Sequence, residues 1–186
     1  MSPLAPVLTL PGWLGSGPDH WQSRWEALYG FTRVEQHDWL RPLRGDWSAR
    51  LDEVLLEQRE PVVLAAHSLG CILVAWWAAH SRHTDRVRGA LLVAPPEVER
   101  EDLRAQIPGW APIARTRLPF PSTVVASIDD PYGSAEHAAA LALAWGSGLF
   151  IAGARGHLNA DSGLADWPEG VALLQALREA AVSAPD

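Results

Sequence analysis

Ser68 stands in Ala66-His67-Ser68-Leu69-Gly70, after the apolar run Val62–Ala66 and before the apolar, helix-length segment Leu69–His80. A serine flanked by small residues where a strand turns into a helix is the nucleophile-elbow arrangement, here with alanine in place of the first glycine. The chain must reverse sharply at such a turn, and the strained serine backbone projects its hydroxyl out of the sheet. Ala66 is small enough for that turn. The helix start would also set the Leu69 N–H and the helix dipole where an oxyanion develops in acyl transfer. The competing role for a serine in this place is a plain helix N-cap.

A serine hydroxyl needs a histidine within hydrogen-bond reach and a carboxylate to orient that histidine. Around an elbow of this kind the chain order is serine, acid, histidine, each on a loop at the C-terminal end of a strand. Four histidines follow Ser68: His80, His83, His137 and His157. His157 lies in Gly153-Ala154-Arg155-Gly156-His157-Leu158-Asn159, where glycines free the loop to place the ring over the serine. His80 and His83 fall at the end of the central helix, on the far side of the sheet, where a cation at a helix C-terminus is the ordinary reading. A metal held by His80, His83 and Asp85 rests only on a short spacing. His137 reads as a solvated mid-helix residue. His67 should point away from the serine, toward packing or a supporting hydrogen bond. For the acid, Ser127-Ile128-Asp129-Asp130-Pro131 offers two carboxylates, and turn chemistry does not separate Asp129 from Asp130.

The elements that must position these groups follow from the hydrophobic pattern. Strands are predicted at Val7–Leu10, Thr32–Gln36, Val62–Ala66, Val87–Ala94, Thr123–Ile128 and Leu149–Ala152. The run Val62-Val63-Leu64-Ala65-Ala66 is apolar without alternation, as in a strand covered on both faces. Helices are predicted at Asp19–Tyr29, Trp47–Gln58, Leu69–His80, Ser134–Trp145 and Leu164–Val182. Alternation of this kind builds a three-layer α/β domain over 1–186, with a mostly or wholly parallel sheet of about six strands. The proline-rich stretch Pro95–Pro121, with a short helix at Val98–Gln106, is the candidate cap over a site.

Composition removes several chemistries. The chain has 186 residues, and all fifteen of its basic side chains are arginine. Without lysine there is no Schiff base, no Ser-Lys dyad and no Walker-type phosphate lysine. A single cysteine, Cys71, forms neither an internal disulfide nor a cysteine-rich zinc site. A net charge of −7 gives no footprint for nucleic acid and no polybasic patch for a membrane. Met1–Leu10 lacks a basic leader region, and no apolar run is long enough to span a bilayer, so a cytoplasmic protein is expected.

Taken together, the block Leu10–Glu26 (LPGWLGSGPDHWQSRWE), the elbow, Ser127–Pro131 and Gly156–Asn159 resemble the small, lidless or nearly lidless α/β-hydrolases of the YdeN and retinoblastoma-binding-protein-nine type. The resemblance spans most of the chain and keeps its order. It implies Ser68 as nucleophile, Asp130 as acid and His157 as base, with no cofactor. It also implies a second oxyanion N–H from the loop after the first strand, from Trp13 or equally Leu14. Retinoblastoma-pocket binding goes with Leu-x-Cys-x-Glu. The only cysteine here reads Leu69-Gly70-Cys71-Ile72-Leu73, with leucine at the acidic position and the segment in a buried helix, so that partner is not expected.

Ten tryptophans frame the pocket expectation. Trp13, Trp39 and Trp110 fall in predicted loops near the elbow side and, with Gly12 and His20, are the expected lining of an aromatic pocket for a small acyl group. Plain core packing is the competing role for these rings. The function expected is hydrolysis of small carboxylic esters, thioesters or amides. The rival from another class is a protein-binding module that keeps the fold with vestigial chemistry. A third is acyl transfer to an acceptor other than water.

Overall fold

In the computed structural model, residues 4–183 are described, and the first three residues of the Met1–Leu10 stretch lie outside them. Six strands form one parallel sheet: β1 (Val7–Leu10), β2 (Thr32–Arg33), β3 (Val62–His67), β4 (Val87–Val93), β5 (Ser122–Ala126) and β6 (Gly148–Ile151). Their spatial order is β2-β1-β3-β4-β5-β6, every neighbouring pair parallel. Six helices connect or close them: α1 (Trp21–Tyr29), α2 (Arg44–Glu57), α3 (Leu69–His80), α4 (Glu101–Gln106), α5 (Ala135–Trp145) and α6 (Pro168–Ser183). No described helix is long and apolar enough to cross a membrane.

The non-alternating run in β3 is explained by burial on both faces. Val62, Leu64 and Ala66 pack with Leu51 and Leu55 of α2, Ile72 of α3, and Leu141 and Trp145 of α5. Val63 and Ala65 point the other way, onto Trp21 and Trp25 of α1 and Leu174 and Leu177 of α6. A strand's period of two sends successive residues to opposite layers, and here both layers are apolar. α3 lies between β3 and the outer helices, with eight of its twelve residues buried, which accounts for a helix apolar nearly all round.

Ends are set by local chemistry. His20 caps α1 by accepting the Gln22 N–H, and Gly30 closes it in a left-handed conformation. Ser134 caps α5, and Gly146 closes it in the same way. β2 stops at Arg33, shorter than the expected Thr32–Gln36, because it is the sheet's edge and pairs only with β1. α4 is shorter than expected because Val98–Arg100 form turns. α6 begins at Pro168, four residues later than expected, since Ala165 and Trp167 take left-handed backbone conformations.

Strand order reverses beside β1: the chain leaves β1 for β2 on one side and returns to β3 on the other. In open parallel sheets, ligands bind beyond the C-terminal strand ends at such a switch. Here those ends are Leu10 and His67, so topology places a site where the elbow lies.

Candidate active site

Ser68 follows the last residue of β3 with φ 53° and ψ −122°, a strained backbone for a residue with a side chain. Tight packing enforces this turn. A Cβ on Gly70 would collide with the Leu10 carbonyl, so only glycine lets the start of α3 cross the end of β1. Although Ser68 stands at the N-cap position of α3, its hydroxyl makes no capping bond. It lies 2.8 Å from Nε2 of His157 instead.

His157 comes from the loop after β6. Its Nδ1 lies 2.9 Å from each carboxylate oxygen of Asp130, which follows β5. With its proton on Nδ1, the ring donates to the carboxylate and leaves Nε2 to accept the Ser68 O–H. The Asp130 side chain is 2 % exposed and that of His157 10 % exposed, so this pair is shielded from water. Asp129 turns elsewhere. It accepts the Ser127 hydroxyl at 2.7 Å and the Gly156 N–H at 2.8 Å, bracing the loop that carries His157. Those donors hold its carboxyl below the ordinary range, the Ser127 hydroxyl foremost.

The loop after β1 lies against the elbow. A Cβ on Gly12 would sit 2.9 Å from the Ser68 Cβ and 3.1 Å from the Leu69 nitrogen. The two loops therefore touch at the point where an oxyanion of a Ser68 adduct would form. Of the candidate donors after Gly12, the Leu14 N–H is committed to the Trp39 carbonyl at 3.0 Å. Trp13 is the remaining one. Its indole N–H is tied to the Leu40 carbonyl at 3.0 Å, which fixes the loop from its far side.

A cleft of about 200 Å³ opens over Ser68, and Trp13, Leu14, His20, Leu69 and His157 all line it. Its walls include Pro96, Leu103, Ile107 and Tyr132. Of the expected lining, Trp13 and His20 border this cleft, whereas two tryptophans stand elsewhere. Trp110 is fully buried in the core, its indole N–H 2.8 Å from the Pro42 carbonyl and its ring edge-on to Trp47. Trp39 is half-buried, and its ring packs on Trp47 and against Gly15 behind the loop. Gly12 supports the floor without lining the space. The stretch 95–121 is a wall rather than a free lid. Its second half is anchored by Trp110, Ile113, Leu118 and Phe120 in the core.

Several wall residues escaped the sequence reading. Leu103 and Ile107 stand four apart, one helical turn, and that spacing was a usable signal. Tyr132 packs edge-on against His157, with ring centroids 4.6 Å apart. Nothing local marks it beyond following Pro131. The other histidines have separate roles. His83 Nδ1 lies 2.9 Å from Asp52, and no described cluster of histidine, cysteine, aspartate or glutamate suits a metal ion. His137 is half-buried rather than solvated, with burial pulling its pKa down.

Comparison with known proteins bears on the family and the fold. The family model described as serine hydrolase matches residues 7–176. A YdeN-like hydrolase from Pectobacterium atrosepticum is 29 % identical, with 95 % of this chain and 91 % of that one covered and a TM-score of 0.83. An α/β-superfamily hydrolase from Xanthomonas campestris is 26 % identical over 92 % of this chain and 99 % of that one, with a TM-score of 0.57. The ydeN gene product of B. subtilis, 21 % identical over 93 % of this chain and 98 % of that one, shares the fold with a TM-score of 0.74. No curated protein sequence matches.

Proposed function

The chain belongs to the serine hydrolase family, and from that premise we propose that it cleaves small carboxylic esters, with thioesters and amides as related acyl substrates, through Ser68, His157 and Asp130. The observation that carries this reading is the unbroken chain from Ser68 Oγ through the His157 ring to Asp130, at 2.8 and 2.9 Å, inside the cleft.

The Ser68 oxygen attacks the substrate carbonyl carbon as its proton passes to His157 Nε2. The carbonyl π electrons move onto oxygen, and the Leu69 and Trp13 N–H groups stabilise that charge. Collapse of this intermediate breaks the bond to the leaving group, which departs with the proton from His157. Water then attacks the acyl-enzyme with the same histidine as base, releasing the acid and restoring Ser68. Asp130 remains ionised throughout, holding the Nδ1–H tautomer and stabilising the imidazolium.

The cleft supports a neutral, apolar acyl group. Among the described residues its lining carries no carboxylate and no guanidinium. Its volume of about 200 Å³ is somewhat larger than a cavity of about 150 Å³ that holds benzene. An acyl group of ring size or a short chain fits.

Active-site titration with an alkyl fluorophosphonate, followed by mass mapping, tests the nucleophile. Stoichiometric modification of Ser68, together with p-nitrophenyl ester turnover lost in Ser68→Ala, is the expected result. Folded protein that neither labels nor turns over esters would overturn the reading and leave a binding module.

A further inference from the structure

We propose that His20 and His67 form a two-ring positioning relay that fixes His157 through its backbone, an inference that rests on the triad reading above. His20 Nδ1 accepts the Gln22 N–H at 3.1 Å. In a neutral ring the proton therefore sits on Nε2, which lies 3.3 Å from Nδ1 of His67. From the other end, His67 Nε2 lies 2.9 Å from the His157 carbonyl oxygen. A carbonyl only accepts, so His67 carries its proton on Nε2 and offers Nδ1 as acceptor. The two tautomers are fixed independently, one by a helix cap and one by a carbonyl. They meet with one donor facing one acceptor.

The arrangement requires both rings neutral, because a proton on either would set N–H against N–H or remove the cap. Burial supplies that condition. Both residues are at most 5 % exposed, and desolvation foremost pulls His20 down to about 3, with Arg33 and His157 adding to it. His67 is likewise held well below its ordinary value by burial, then by His20 and His157, against the opposing pull of its bond to the His157 carbonyl.

The relay has a mechanical task. His157 sits in an irregular stretch between Gly153 and Asn159, just before a short 3-10 helix at Ala160–Ser162, with left-handed backbone at Gly153, Gly156 and Leu158. Asp130 holds only the ring. The backbone beneath is held by two successive carbonyls, His157 to the His67 ring and Leu158 to the Trp21 indole N–H at 2.9 Å. The rings of His67 and His157 also pack at 4.9 Å. His67 adjoins Ser68 in sequence, so one residue ties the nucleophile's strand to the base's loop. A displacement of about 1 Å in such a pair costs about 100-fold in rate.

Inactivation kinetics with an alkyl fluorophosphonate separate the limiting rate from probe affinity. His67→Leu should lower the limiting rate by about 100-fold with unchanged affinity. His67→Gln, whose amide nitrogen replaces Nε2, should restore it to within about tenfold. His20→Asn keeps the cap through its side-chain oxygen but lacks the second nitrogen, and should fall between. Nitrogen-15 NMR of the wild type at neutral pH should show both rings neutral with Nε2 protonated. The proposal is overturned if either ring is charged or protonated on Nδ1. It is also overturned if wild type labels and the leucine and asparagine variants label at its rate, or if they lose affinity alone, which would mean direct contact with the ligand. A wild type that never labels defeats the triad reading itself.

Discussion

Asp130 presents both carboxylate oxygens to one ring nitrogen of His157, each 2.9 Å away, while the adjacent Asp129 faces Ser127 and Gly156. Neighbouring residues thus do different work, one on the imidazole and one on the loop beneath it. Asp130→Asn should lower ester turnover by about 10⁴-fold, since an amide no longer enforces the required tautomer. Asp129→Asn keeps an oxygen acceptor and should stay within about tenfold of wild type. Steady-state kinetics of both variants on one p-nitrophenyl ester decide the assignment, and the reverse order of effects would transfer the acid to Asp129.

Gly12→Ala drives a methyl group to 2.9 Å from the Ser68 Cβ and 3.1 Å from the Leu69 nitrogen. The two loops must separate to accept it, and the proposed oxyanion donors, the Leu69 and Trp13 N–H groups, separate with them. The expected loss in kcat is about 10²- to 10³-fold, the cost of one such donor. Circular dichroism should show the fold retained. Unchanged kcat in a folded variant would remove the Gly12–Trp13 loop from the oxyanion site.

Wall and core residues should respond differently. Ile107→Phe narrows the cleft and should cut kcat/KM for benzoate relative to acetate esters by about 10- to 200-fold, the range for small volume changes in a binding pocket. Trp110→Ala leaves the cleft lining untouched but hollows the core. It should cost about 3–5 kcal/mol in urea unfolding while the acyl preference stays the same. A shifted preference in that variant would return Trp110 to the pocket.

Stability should fall on mild acidification. His20 stays neutral in the fold, pulled down to about 3 chiefly by burial, whereas the unfolded ring titrates near 6.5. Below pH 6.5 the unfolded chain therefore binds the extra proton, so the stabilisation present at pH 7 drains away as pH falls toward 3. By pH 5 the loss is about 2 kcal/mol for such a ring. Unfolding midpoints between pH 6.5 and 5, above the range of ordinary carboxylates, report the buried histidines together, since burial also lowers His67 and His137, and the His20→Asn variant separates the share of His20. His20→Asn should flatten the slope, and an equally steep slope in that variant would show that His20 is not its source.

How far the sequence could be read depended on whether a feature was local. The elbow, the apolar run of β3 and the loop bearing His157 each carry their signal within a few residues, and a doubly buried strand cannot be patterned otherwise. The shortened β2 was not legible, because pairing on one side alone depends on where the edge falls. Trp110 was misplaced for a similar reason. Its indole finds the Pro42 carbonyl in a distant loop, and a tryptophan in a proline-rich stretch does not reveal which side it faces. Asp130 and Asp129 are equivalent as turn formers and differ only in what the fold brings opposite them.

The wall formed by Pro96, Leu103 and Ile107 comes from the connection between β4 and β5, whereas the proposed reacting groups, Ser68, Asp130 and His157, follow β3, β5 and β6. In the proposed site, this part of the wall and the triad therefore occupy different stretches of chain. A combinatorial library confined to positions 96, 103 and 107 can remodel which acyl groups enter while every atom of the proton path stays in place.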